Sequence, residues 1–221
     1  MSSEEIISKT EEYVKEELAG AEAGHNWWHI ERVRRNANRI ANTENVDTLV
    51  IELAALLHDI ADSKFNDGDE SVGPSKARLF MQSIQVNASA ADHVVKIIEN
   101  ISFKGGHKNS DFSSMELDII QDADRLDALG AIGIARAFHY GGFKNRELYD
   151  PEIKPNLHMS KEEYKNSTAP TINHFYEKLL LLKDKMNTKT GKLLAQERHD
   201  FMLLYLEQFH LEFEAKPILN S

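Results

Sequence analysis

The sequence predicts an all-α fold, on three grounds. Apolar residues recur at the three- and four-residue steps of a helix along most of the chain. Only five prolines interrupt 221 residues. Runs of β-branched residues are few, and no two-residue hairpin signal joins them.

The elements follow in order. In the first, Ser2 and Glu5 stand at capping-box spacing, Ile6, Thr10, Tyr13, Val14 and Leu18 keep helical period, and Gly20 marks the stop. A second helix is predicted over 27–43 and a third over 47–61. A fourth starts at Gly73-Pro74, where proline suits a first turn, and a fifth covers 88–102 behind a cap at Asn87. A long sixth pattern, "MELDIIQDADRLDALGAIGIARAFHYGG", reads as one helix or as two meeting near residue 121, with Gly141 and Gly142 ending it. Two more helices are expected over 168–187 and 191–215. The irregular stretch 141–166 exceeds an ordinary connection and is a candidate flap over a substrate, hinged on its paired glycines. The expected organisation is a single domain over 1–221, with core motifs in 25–140, the flap in 141–166 and C-terminal helices in 168–215.

Composition narrows the function. The chain is 41% apolar, enough for a sizeable core. Twenty-six basic against 36 acidic residues leave a formal charge of -10, which disfavours a broad nucleic-acid footprint or docking on an anionic membrane. With no cysteine, disulfides and thiolate chemistry are excluded, and any metal must be held by His and carboxylates. The acidic, amphipathic start and the lack of a long apolar run fit a cytoplasmic protein without a membrane span.

Against that background, "ELAALLHDIADSKF" is unusual. An apolar helix ends on His58, Asp59 and Asp62, and buried charges persist mainly when paired, hydrogen-bonded or bound to metal. Two other segments pose the same problem. His29 falls on a stripe with Val33, Ala37, Ile40 and Ala41, and Asp124 falls on one with Ala128, Ile132 and Ala135, so both side chains are expected to face inward. Two imidazoles and two carboxylates from three helices suit an octahedral divalent cation. Singly, each has a plainer explanation: a hydrogen-bonded core histidine, or an aspartate paired with Arg125 or Arg136. Their joint order carries the metal reading.

That order resembles the HD-domain metal-dependent phosphohydrolase superfamily: a His, a later His-Asp pair closing an apolar helix, and a distant Asp. Within it, "HNWWHIERV", "LAALLHDIAD", "ISFKGG", "QDADRLDALGAIGIARAF", "YGG" and "NHFYEKLLLLKDKMNT" resemble the blocks of the small stand-alone bacterial proteins. The resemblance implies His29, His58, Asp59 and Asp124 as metal ligands. "ADRL" at 123–126 matches the family frame for the last of these. Where many relatives have Asp after the first His of "HxxxH", this chain has Asn26, whose carbonyl is expected to orient an imidazole instead.

The resemblance also implies hydrolysis of a phosphate ester or anhydride, with a nucleotide as substrate and Mn, Fe, Mg, Ni or Zn as the ion. Cleavage of a nucleoside triphosphate to monophosphate and pyrophosphate is favoured over dephosphorylation of a monophosphate. The contrasting possibility is a metal-bearing nucleotide sensor that does not turn over. Asp62, three residues beyond Asp59, is the first candidate for proton transfer and otherwise a helix cap or a partner of Lys64. His93, on one face with Ile97, is either a second active-site imidazole or a satisfied core histidine. Lys64, Lys104, Arg125 and Arg146 are candidate phosphate contacts or solvated charges. Trp27 and Trp28 are expected to pack rather than stack on a base, and His25 is either close to the site or exposed.

Overall fold

The computed structural model describes residues 1–20, 26–61, 69, 71–101 and 112–216, without the side chains of Lys161, Tyr164 and Lys165. Among the described residues there is no strand, and the all-α expectation holds. The chain divides into two compact units, Met1–Asp124 and Arg125–Ser221.

The first unit is built around α3 (Thr48–Leu57), whose Ile51, Leu53, Ala54, Ala55, Leu56 and Leu57 have no exposure. A helix apolar around most of its circumference, with Glu52 its one charged residue, belongs at the centre of a bundle. Packed on it are α1 (Ser3–Glu17), α2 (Trp27–Ala41) and α5 (Ala88–Asn100), with α4 (Val72–Ser83) against α5. Local signals fix the starts. Ser2 and Glu5 form the expected capping box, with Glu5 N–H donating to Ser2 Oγ at 3.2 Å and Ser2 N–H to Glu5 Oε2 at 2.8 Å. Asn87 caps α5 by accepting from Ser89 N–H at 2.9 Å.

The sixth pattern is two helices, but they meet beyond residue 121. Helix α6 (Met115–Asp127) stops, Leu129 is extended, and α7 (Gly130–Phe143) begins on a glycine with φ +68°. That left-handed backbone needs glycine, and a Cβ there would lie 3.1 Å from Arg198 Cβ. Gly141 and Gly142 do not end α7, which runs through them. A Cβ on Gly141 would meet Thr171 Oγ1 at 2.2 Å, so this glycine allows α7 and α9 to approach closely instead of stopping a helix.

The second unit continues with α8 (Lys161–Asn166), α9 (Thr171–Glu177), a 3-10 segment (Leu179–Lys185) and α10 (Lys189–Phe213). The single helix expected over 168–187 is therefore two pieces, broken at Lys178, where φ is -142°. The 141–166 stretch is helical at both ends and tied down between them. Thr171 N–H donates to Glu147 C=O at 2.9 Å, Ile172 N–H to Leu148 C=O at 3.0 Å, and Asn173 Nδ2 to Ile153 C=O at 2.9 Å.

Candidate metal centre

The candidate ligands come from α2, from the C-terminal end of α3 and the turn after it, and from α6. Asn26 caps α2, its Oδ1 accepting from Trp28 N–H at 3.1 Å and His29 N–H at 3.3 Å. It therefore holds the main chain of His29, not an imidazole as the sequence led us to expect. One turn in, His29 is 2% exposed on the predicted stripe with Val33, Ala37, Ile40 and Ala41.

His58 is the C-cap of α3, which ends at Leu57 instead of near 61. Its Nδ1 lies 2.8 Å from Ala55 C=O and donates to it, so in the neutral ring Nε2 carries the lone pair. That Nε2 is 3.3 Å from His29 Nε2. Asp59 Oδ2 lies 4.0 Å from His29 Nε2, and His29, His58 and Asp59 form a compact group whose ligand atoms all fall within 4.8 Å of one another.

Asp124 Oδ1 lies 3.6 Å from His29 Nε2 on the open side of that group. Its side chain is 44% exposed, contrary to the inward orientation expected. The reason is the break after α6, which puts Ile132 on another helix and itself in solvent. The face of α6 that is buried carries Ile119, Ile120, Ala123 and Leu126. Of the neighbouring acids, Asp122 is fully buried, and Asp127 accepts from Arg136 Nη1 at 2.6 Å. Asp124 is thus the acid of "DADRLD" that stands open beside His29.

The donor set fits a divalent ion. Ligands about 2.1 Å from a common cation lie about 3 to 3.5 Å apart, and the two imidazole nitrogens and the Asp124 contact approach that spacing. The ring-to-carbonyl bond of His58 also fixes the tautomer that ligation requires.

Asp62, Lys64, Lys104 and His25 lie outside the described residues. His93 Nε2 is 3.0 Å from Ser114 Oγ and 3.6 Å from Glu116 Oε2, so its ring links α5 to the start of α6. Arg125 Nη1 donates to Lys185 C=O at 2.8 Å. Arg146 donates to Ser167 C=O and lies over the Tyr140 ring. Trp27 lies under Lys15 Nζ, 4.3 Å from its ring centroid. Trp28 does not pack as expected, being 63% exposed. The sequence reading overlooked Asn36, which shares the buried stripe of His29 two turns on and donates to Ala123 C=O at 3.4 Å. A polar residue on an apolar stripe was the signal.

Comparison with known proteins agrees with this architecture. Residues 27–129 match the HD domain model. The Bacillus subtilis protein YpgQ, described as uncharacterized, is 39% identical over 199 residues, 89% of this chain and 88% of that protein. A crystal structure of an HD-superfamily hydrolase from Bacillus thuringiensis superposes with a TM-score of 0.79 at 41% identity, covering 97% of this chain and 100% of that one. The structure of Bacillus subtilis YpgQ in complex with ADP gives 0.74 at 35%, covering 96% and 97%. The chain belongs to the HD-domain superfamily. It is accordingly a metal-dependent hydrolase, of the phosphohydrolase kind in general. No described helix is long and apolar enough to cross a membrane.

Proposed function

We propose that the chain hydrolyses a nucleoside triphosphate to the monophosphate and pyrophosphate, at a divalent ion held by His29, His58, Asp59 and Asp124. The observation that carries the proposal is the 3.3 Å approach of two imidazole Nε2 atoms beside two carboxylates, within the segment that matches the HD domain. The ADP complex of YpgQ supports a nucleotide as the ligand class. Mixed nitrogen and oxygen donors suit Mn, Fe, Mg, Ni or Zn.

A dication held there supplies Lewis acidity, lowering the pKa of a water and polarising a phosphoryl oxygen. The chain's own residues supply the rest. His58, locked by Ala55, holds its ring in one orientation, and His29 is fixed by the capped first turn of α2. Asp124, half exposed, faces the side from which a substrate can enter. Asp62 is assigned to proton transfer, with His93 as the second imidazole. Lys64, Lys104, Arg125 and Arg146 are assigned to the phosphates, to which ammonium and guanidinium groups donate charge-assisted hydrogen bonds.

Phosphorus NMR of products across a nucleotide panel tests the reading. Pyrophosphate from a triphosphate is the expected result. Inorganic phosphate from a monophosphate points to phosphatase chemistry, and no product with bound nucleotide points to a sensor. Asp62→Asn should keep the metal and lower turnover roughly 100-fold or more. A wild-type rate returns Asp62 to a capping role.

A further inference from the structure

The burial of apolar area between α2 and α3 is non-directional, and directional bonds sharpen the register that interdigitating side chains set. The cluster needs His29, near the start of α2, to meet His58, at the end of α3, to within a few tenths of an ångström. The two helices are joined by residues 42–47 and pack against each other.

One carboxylate on α3 carries directional bonds between them. Glu52 Oε1 accepts from Asn38 Nδ2 at 2.7 Å, and Glu52 Oε2 accepts from Arg34 Nε. Arg34 and Asn38 are one turn apart on α2, so one carboxylate is gripped at two points about 6 Å apart along the helix axis. Arg34 also donates through Nη1 to Glu11 Oε1 on α1 at 2.8 Å, and Glu31 Oε2 lies 3.5 Å from the same nitrogen. The Arg34 and Glu52 side chains are 21% and 15% exposed, which shelters the pair from solvent. A planar guanidinium meeting a carboxylate has little positional freedom.

The register is consistent with a brace. Arg34 is five residues after His29 and Glu52 is six before His58, nearly equal axial distances for helices running in opposite directions. We infer that Glu52, clamped by Arg34 and Asn38, is a positioning residue that holds α2 against α3 at the offset bringing His29 and His58 together. It touches neither ligand and acts through the two helices.

The inference rests on the proposed metal site, and its test separates the two. The probe is Mn²⁺ alone, with free ion read by electron paramagnetic resonance against the folded apoprotein well below its melting temperature. Glu52→Leu removes both bonds. Glu52→Gln keeps the shape and must oppose an amide N–H₂ to one of the two donors. Both should weaken Mn²⁺ binding roughly 10-fold, the scale of losing an outer partner of a metal site. Met81→Val, buried on α4 away from the brace, serves as a control for lowered stability alone and should leave Mn²⁺ binding unchanged. If both Glu52 variants match wild-type Mn²⁺ affinity while His58→Ala abolishes it, the brace is overturned and the site stands. Mn²⁺ binding that survives His58→Ala overturns the site, and the brace with it. Equal weakening in Met81→Val and the Glu52 variants also overturns the brace, because affinity then follows stability alone.

Discussion

Among the described residues, Met1–Asp124 holds ten of the twelve largest fully buried side chains, including Ile30, Ile51, Leu56, Met81 and Ile120, whereas Arg125–Ser221 holds Leu126 and Phe175. The exposed large apolar residues run the other way. Twelve of the sixteen among the described residues fall in the second unit, including Phe143, Leu157, Leu193 and Leu204. Aromatic edges and faces join its elements, as where half-buried Tyr149 meets Phe209, His210 and the exposed Phe213 and where buried Phe175 lies beside Phe138 and Tyr205. Dense aliphatic packing is thus concentrated in the unit that carries the proposed metal site. A close-packed interior transmits small displacements, and a site of four ligands from separate elements tolerates few of them.

The largest effect of substitution is expected at the proposed metal site. His58→Ala should remove bound divalent ion and lower activity by more than about 100-fold, beyond the loss of an outer partner, with helical content by circular dichroism nearly unchanged. Full metal occupancy by elemental analysis would sink the ligand set. Asp124→Ala should behave in the same way.

Next is the packing contrast itself. Leu56→Ala should cost about 2–5 kcal/mol in denaturant unfolding, as large-to-small changes do in a closed core. Leu204→Ala, at 63% exposure, should stay within about 0.5 kcal/mol. Similar values for the two would erase the contrast.

A pH effect is expected from the second unit. Burial, with Lys178 and Arg146 nearby, pushes the His174 imidazole down to about 4 from the ordinary 6.5. The fold therefore excludes a proton that the unfolded chain accepts. His174 is without effect on stability above about pH 6.5 and lowers it progressively as the pH falls toward 4. Urea midpoints at pH 7.5 and 5 should differ less in His174→Phe than in wild type. An unchanged difference would mean that His174 titrates normally.

The smallest effect is at the α2 cap. Asn26→Ala should cost about 1 kcal/mol, while Asn26→Asp should be close to neutral, since both Asn and Asp accept from the first-turn N–H groups. A large loss of Mn²⁺ affinity in the Asp variant would show that Asn26 acts on the site beyond capping.

Much of this was legible in the sequence wherever the deciding interactions are local. The Ser2–Glu5 box, the Asn87 cap and the His29 stripe involve residues a few positions apart, and all formed as read. The HD pattern joins distant residues, but through types and order that few other chemistries share. What escaped were features set by another part of the chain. Gly130 is left-handed where Arg198 crowds it, so the helix break fell there and not near 121, and Asp124 lost its expected stripe. Asn26 departs from the family pattern, yet its work is an ordinary cap. The clamp on Glu52 was invisible because charged residues on a helix usually look like a solvated face.

The contact between Gly141 and Thr171 bears on how this sequence can change over time. A methyl group at 141 would come within 2.2 Å of Thr171 Oγ1, a buried hydroxyl without a hydrogen-bond partner, but only to 3.3 Å of Thr171 Cβ and Cγ2. Thr171→Ala removes the nearest obstacle and gives up no hydrogen bond at that oxygen, so it is the passable first step. Gly141→Ala forces Thr171 to shift before that step and is only tight after it. The two positions therefore favour one order of substitution over the other, and the same intermediate serves in both directions between neighbouring sequences that encode the same fold.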